Sequence, residues 1–430
     1  MTDTDNQVKL VLDGSEFANW KSCEITSELN TLARAFTVSV TTKIPDGRKV
    51  LEFFRPGKAV QVQIGHDVVL TGWIDKTPAS YTATDVTVAI EGRSKTEDLI
   101  DCCPVPAGET IFFDDGRWPA HLQAPTTGTL ISCPGTTATE WKEQATDAII
   151  AHLAGGYGVR FYSEVDLKDK QNFTITPTDK ILDALKTLTK GKDIIFTDDA
   201  NGNLVAVKKA STEAAKTVKT PLVLGSVNLS GVTVDGNILR GQASFDGTKL
   251  FSQYQVIGQP KGTTSAHGSK LNSKPATKSG IYDIGRRRIT CEKAKGQAGA
   301  SDCSKEADGN QKFAENEFFK ITYTVQGWRD GDGKLWRVNT LVRLQDELLH
   351  YAEYGKSDST LYLITRVKFS LSNDAGMTTE LEVVPPDGYR IQQDTAATNA
   401  QQKGKVNTSK QRSSGGMKLE RNRFSNSYYG

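Results

Sequence analysis

The residue types that carry most enzyme chemistry are thinly spread along this chain. Its five histidines are His66, His121, His152, His267 and His350. None sits in a local signature such as G-x-S-x-G or H-E-x-x-H, where spacing itself fixes a nucleophile, base or metal. Each therefore reads as a surface or hydrogen-bonded imidazole. Paired carboxylates occur at Asp114-Asp115 and Asp198-Asp199, and two acids held across a sugar-binding cleft could cleave a glycosidic bond. Both pairs lie in turn-like sequence, which favours solvated loop acids. The run Asp330-Gly331-Asp332-Gly333-Lys334 begins like a calcium loop but lacks the third acidic position and the closing glutamate, so a hairpin turn accounts for it. Cys23, Cys102, Cys103, Cys133, Cys291 and Cys303 lack disulfide-framework spacing. The adjacent pair Cys102-Cys103 has no second arm to complete a tetrahedral site, so the thiols read as reduced and structural. Arg286-Arg287-Arg288 could grip phosphate. Without interleaved aromatics to stack bases it reads as a solvated strand or interface rim rather than a nucleic-acid site. Trp73, Ile74, Trp328 and Trp336 read as core or interface filling. No catalytic, cofactor-binding or metal residue emerges, no cofactor is implied, and the chain does not read as an enzyme.

The bulk properties narrow the partners. The chain has 430 residues, 37% hydrophobic and 24% charged, with a formal net charge of +2. That length suits about two to four domains, and so small a net charge gives no global field toward nucleic acid or an anionic membrane. Residues 1–7, MTDTDNQ, are acidic and polar, unlike the start of a secretory signal. No uncharged apolar run approaches the ~18 residues of a membrane helix. The expectation is a soluble protein made in the cytosol, with no membrane partner.

The elements that would position these side chains are mostly strands. Period-two alternation marks AFTVSVTT at 35–42, AVQVQIG at 59–65 and DVTVAIEG at 85–92. Turns are expected at Asp13-Gly14, Pro45-Asp46-Gly47, Pro56-Gly57 and Gly65-His66-Asp67. Residues 8–102 form a first β region, ending in a short polar helix, SKTEDLID. Residues 103–135 lose periodicity in a proline-rich excursion, a length that usually serves interaction or assembly. Residues 136–215 read as a small α/β domain. Its first helix places Trp141, Ala145, Ala148, Ile149, His152 and Leu153 on one face, and its second, in 177–193, aligns Ile181, Leu182, Leu185 and Leu188. A hairpin follows through Asn201-Gly202. Residues 216–319 hold β segments, a Gly/Ser/Thr/Lys insertion at 258–280 read as a flexible or partner-ordered loop, and partial helix in 292–319. Alternation returns in 320–386 as a second β region, with turns at Asp330-Gly331-Asp332-Gly333 and Asn373-Asp374-Ala375-Gly376. Residues 387–430 form a polar tail with few core-forming residues.

Several passages, in order, resemble the baseplate hub proteins of Mu-like contractile-tailed bacteriophages. They are VKLVLDGSEFANWKSCEITSELNTLARAFTVSV from 8, LTGWIDK from 70, VTVAIEGRSKTEDLIDC from 86, FSQYQVIGQ from 251, DIGRRRIT from 283, LWRVNTLVRLQDELL from 335 and LYLITRVKFSLSNDAGMTTELEVVPPDGY from 361. The GR-x-K-T-x-D-L-I-D and T-x-L-x-V-x-x-PD runs are the more specific. The resemblance implies a mainly β fold with an α+β insertion: two related β-barrel domains, a small α/β domain and long loops, assembled as a ring-shaped trimer. It implies a structural hub joining a six-fold tail tube above to a three-fold central spike below, in the virion, with the genome passing through its lumen. The proline-rich excursion and the tail, poor in self-packing residues, are expected to bind neighbouring baseplate proteins. Alternative readings are the hub module of a type VI secretion spike or contractile bacteriocin, and a tail-associated cell-wall hydrolase.

Overall fold

A computed structural model describes residues 6–104, 140–189, 192, 194–208, 217–225, 227–229, 232–259, 275–280, 285–297, 299–346, 348–349 and 361–386. The first β region contains β1 (Val8–Leu12), β2 (Ser15–Phe17), β3 (Ser22–Glu28), β4 (Ala35–Lys43), β5 (Ala59–Ile64), β6 (Asp67–Lys76), β7 (Ala79–Tyr81) and β8 (Asp85–Ser94). Asp13 and Gly14 both take positive φ, 48° and 77°, which closes the β1–β2 hairpin as the Asp-Gly signal requires. Pro45-Asp46-Gly47 is not a turn. It opens helix α1 (Ile44–Phe53), with proline in the first helical turn, where its missing N–H has no partner to lose. Gly47 belongs there because the helix lies on β8, and a Cβ at 47 would come 2.8 Å from Val86 Cβ. Helix α2 (Glu97–Asp101) follows β8 directly and buries Glu97 and Leu99.

The α/β unit departs from its sequence reading at its start. Residues expected to open a helix form β9 (Glu140–Ala145), and only then does α3 (Thr146–Gly155) begin. Trp141 pairs opposite Phe173 of β11 (Lys170–Thr174) across an irregular antiparallel ladder. Burial of the indole in this pairing overrides the helix-favouring composition of EWKEQA. The remaining elements are β10 (Phe161–Ser163), α4 (Ile181–Leu188), β12 (Ile195–Asp198) and β13 (Leu204–Val207). Trp141, Ile149, Leu153, Ile181, Leu185 and Phe196 share one core with Leu99 of α2.

The rest of the chain supplies β14 (Leu222–Val223), β15 (Val227–Leu229), β16 (Val232–Val234), β17 (Ile238–Phe245), β18 (Gln253–Gln259), β19 (Ala276–Ser279) and β20 (Ile289–Gln297). Helix α5 (Ala300–Phe318), β21 (Phe319–Gln326), β22 (Thr340–Gln345), β23 (Leu361–Ser372) and β24 (Gly376–Val384) complete it. The last part of the presumed 258–280 loop is thus strand β19, paired antiparallel with β18. β18 also pairs in parallel with β20, and Val256 packs on Cys303 and Ala307 of α5. All but the first two residues of the expected excursion at 103–135, most of the insertion and the polar tail lie outside the described residues.

The largest departure concerns barrel closure. Among the described strands one sheet runs β17-β21-β24-β23-β3-β4-β8-β6-β5-β1-β2 without closing, with β7, β14 and β22 attached as branches. Two barrels, one at each end of the chain, are therefore not formed among these residues. β3 pairs antiparallel with β23, from Glu28 opposite Arg366 to Cys23 opposite Leu371, and so fuses the two β regions. Val38, Ile90 and Leu70 from the first region share a core with Ile321, Tyr323 and Val383 from the second. Local alternation specifies which face of a strand is buried but not which distant strand lies beside it.

Candidate assembly joints

The tip of the β12–β13 hairpin sits in a polar socket of the sheet. Gly202 has φ +71°, and a Cβ there would come 2.6 Å from the Thr71 carbonyl oxygen, so glycine permits both the turn and the close approach. The Thr71 hydroxyl donates to the Ala200 carbonyl at 3.0 Å. At the base of the hairpin the Asp198 side chain is 1% exposed. Arg34 Nε donates to Asp198 Oδ1 at 2.9 Å, and the same guanidinium donates to the Asp198 carbonyl at 2.8 Å and the Val69 carbonyl at 2.9 Å. The Arg34 backbone N–H meets Ser94 Oγ at 3.1 Å, and the Ser94 and Thr96 hydroxyls lie 2.9 Å apart. Burial pushes the Asp198 carboxyl above the ordinary carboxylate range, while Arg34 and Ser94 pull it back. Such a pair contributes little net stability compared with apolar packing, but losing either partner strands a buried charge; its effect is to fix where the hairpin seats. Beneath it, Ile195 and Val207 pack with Leu29, Leu341, Leu363 and Val384, so the hairpin rests on residues from both β regions.

One further contact ties the two regions together, and two more brace each region from within. Arg329, beyond β21, donates to Asp67 Oδ2 at 2.7 Å and Asn6 Oδ1 at 3.2 Å, stapling the C-terminal region to the β5–β6 turn. The buried Tyr323 hydroxyl donates to Asp346 Oδ2 at 2.8 Å, and Asp346 Oδ1 accepts the Leu348 backbone N–H at 2.9 Å. Arg93 of β8 reaches acids on two elements, with Nε donating to Asp75 Oδ2 at 2.8 Å and a terminal nitrogen to Asp101 Oδ2 at 2.8 Å. Burial pushes the Glu97 carboxyl beside it up to about 8, with Asp75 adding to the rise and Arg93 opposing it.

These contacts join elements that lie far apart in the sequence. Residues 7–94 match the family described as Mu phage baseplate assembly protein GpP-like, N-terminal; residues 127–208 match the second domain of baseplate hub protein gp44-like, and 311–392 match the fourth domain of GpP. The baseplate hub protein gp44 of Escherichia phage Mu is 26% identical over 394 residues, 90% of this chain and 89% of that protein. The chain belongs to the Mu-like baseplate hub family. Its members are structural proteins of contractile phage tails. The fold is also that of the 43 kDa tail protein of prophage MuSo2 from Shewanella oneidensis, with TM-score 0.68 and 24% identity over 90% of this hub and 99% of that chain. A tail protein from Neisseria meningitidis MC58 gives TM-score 0.64 at 18% identity, covering 89% and 99%.

The described histidines, paired acids and arginines lie apart from one another. His66 is exposed in the β5–β6 turn, and His152 on α3 meets the Trp141 ring edge-on at 5.5 Å; His121, His267 and His350 lie outside the described residues, as do Asp114, Asp115 and Cys133. Asp198 is not the solvated turn acid expected from its sequence context but the buried anchor of the socket, because its partner Arg34 comes from the far-off β3–β4 loop. Asp199 is a turn acid, accepting the Asn201 and Asn203 backbone N–H groups at 2.8 and 2.9 Å. The Asp330–Lys334 run is a hairpin turn, with Asp330 Oδ1 accepting the Asp332 and Lys334 N–H groups. Arg288 stands over the Phe251 ring at 4.7 Å and donates to the Gly247 and Thr248 carbonyls, whereas Arg286 and Arg287 are exposed. Trp328 and Trp336 are buried. Among the described residues no group of three or more His, Cys, Asp or Glu is arranged to hold a metal, and no helix is long and apolar enough to cross a membrane. Sequence reasoning missed Arg34, Thr71, Glu97 and Arg329, which no local motif marks.

Proposed function

We propose that this hub acts as a homotrimeric adaptor, a structural part and not an enzyme, that joins the six-fold tail tube above to the three-fold central spike below and surrounds the passage for the genome. The observation that carries the reading is the β3–β23 seam, which sets two β regions of one chain side by side in one sheet. Three copies in a ring would then repeat a β region six times, matching a six-fold partner on one side while keeping three-fold symmetry on the other. Such a ring closes through heterologous contacts between neighbours. The proposal includes a domain plan of 8–102, 136–215, 216–319 and 320–386, with 103–135 and 387–430 reaching neighbouring baseplate proteins. It also includes synthesis in the host cytoplasm before incorporation into the virion. Light scattering on the purified protein, alone and mixed with its spike, tests the adaptor. A trimer, or a monomer that forms a three-to-three complex with the spike, supports it; a monomer indifferent to the spike overturns it. A zymogram on purified cell wall tests the absence of hydrolase activity.

A further inference from the structure

Helix α2 is the link through which the chain leaves the sheet for the α/β unit. Leu99 enters the α/β core, the Cys102 carbonyl accepts the Ile181 N–H at 3.2 Å, and the Cys103 carbonyl accepts the Tyr157 hydroxyl at 2.7 Å. What fastens α2 to the sheet is the group around Arg93, and its hydrogen count is short by one. Arg93 Nε has a single hydrogen, and Asp75 Oδ2 takes it at 2.8 Å. Glu97 Oε2 lies 2.9 Å from the same nitrogen, yet it is left buried with no hydrogen-bond partner. Glu97 as a residue is 6% exposed. An ionised oxygen withdrawn from water with no donor is among the costliest arrangements a fold can hold, and a second carboxylate on the same nitrogen raises that cost.

We propose that Glu97 and Asp75 hold one proton between them, and that this proton latches α2 to β6 and β8. Glu97 is then the acid, its O–H donating to the Asp75 carboxylate, which also accepts from Arg93. Every charged neighbour bears on the balance. Asp75 faces Glu97 from β6, Arg93 from β8 and Asp98 from α2 itself, while Asp101 shares Arg93, and Lys180, ahead of α4, donates to the Asp101 carbonyl. Burial, first, and then Asp75 hold the Glu97 carboxyl at about 8, so the proton is present at neutral pH. In alkaline solution the Glu97 O–H bond breaks, the electron pair stays on oxygen and the proton passes to solvent. Two negative charges then share one guanidinium hydrogen, and α2 loosens while the Arg34–Asp198 socket keeps the hairpin seated.

The test uses the full-length protein. In infrared difference spectra of wild type minus Glu97→Gln at about pH 7, a protonated-carboxyl C=O band is expected, fading as pH rises through about 8. Hydrogen exchange read by mass spectrometry on the α2 peptide, corrected for intrinsic rates, should show protection falling about tenfold or more between about pH 7 and about pH 9.5 in wild type and less than about twofold in Glu97→Gln. Should Glu97→Gln not fold, Asp75→Asn serves instead: without its carboxylate neighbour Glu97 ionises more readily, so the band should fade at lower pH than in wild type, and a band that fades at the same pH in both overturns the proposal. A wild-type spectrum with no such band, or equal loss of protection in wild type and variant, overturns the proposal.

Discussion

Replacing Arg34 with alanine removes one half of a pair whose other half cannot reach water. The Asp198 side chain is 1% exposed, so the variant retains a buried carboxyl whose ion pair is gone, along with the donors to the Asp198 and Val69 carbonyls. Breaking a buried pair in this way costs about 3–5 kcal/mol. Asp198 already titrates above the ordinary carboxylate range because burial outweighs Arg34 and Ser94, and without Arg34 it moves higher. A carboxyl raised on folding gives stability that is complete below its unfolded pKa and is lost as pH rises through the folded one. The deficit of Arg34→Ala should therefore be largest near about pH 8 and shrink as pH falls toward about 4. Urea denaturation followed by circular dichroism at several pH values reads this. The double variant Arg34→Ala/Asp198→Asn should recover part of the loss, because an amide carries no charge to strand. A deficit under about 0.5 kcal/mol at neutral pH, the scale of an ordinary surface change, would refute the socket's energetic role, as would a deficit independent of pH.

Gly202→Ala forces a side chain into positive φ and toward the Thr71 carbonyl at 2.6 Å; it should cost about 2 kcal/mol or more, visible as a lower urea midpoint and lost exchange protection in 195–207. Tyr323→Phe leaves Asp346 Oδ2 without the donor it has at 2.8 Å, and a loss of about 1–3 kcal/mol is expected by the same denaturation assay. Burial, with Glu24 adding to it, pushes the Cys23 thiol up to about 12. In native protein a maleimide at neutral pH should therefore label the exposed Cys291 and spare Cys23 until denaturant is added; peptide mapping that finds Cys23 labelled at a comparable rate contradicts the buried placement.

Short-range features were legible because a few adjacent residues determine them. Asn201-Gly202 announced its hairpin, the alternation in 85–92 announced β8, and Ile181, Leu185 and Leu188 announced α4. Features resting on distant partners were not. Asp198 looks like a turn acid until Arg34 is brought beside it. Pro45-Asp46-Gly47 looks like a turn until Val86 underlies it, and EWKEQA looks helical until Trp141 meets Phe173. The joints follow the same rule, since Arg34, Thr71 and Ser94 converge only through pairing across the sheet. The family resemblance reached further than local pattern, but it implied closed barrels where the described strands form one open path.

The β3–β23 seam also constrains how the chain is made. Glu28 pairs with Arg366, so β3 waits for roughly 340 residues of synthesis, on the order of 17 to 70 seconds at about 5–20 residues per second. Throughout that interval one edge of β3 has no partner, and an open strand edge is a template for other chains. Where many hub chains are made at once, the same edge that later unites the two β regions is the one most exposed to the wrong neighbour. Glu24 and Glu28 supply negative charge along it during the wait, and in the finished fold Glu24 meets Lys368 at 2.8 Å.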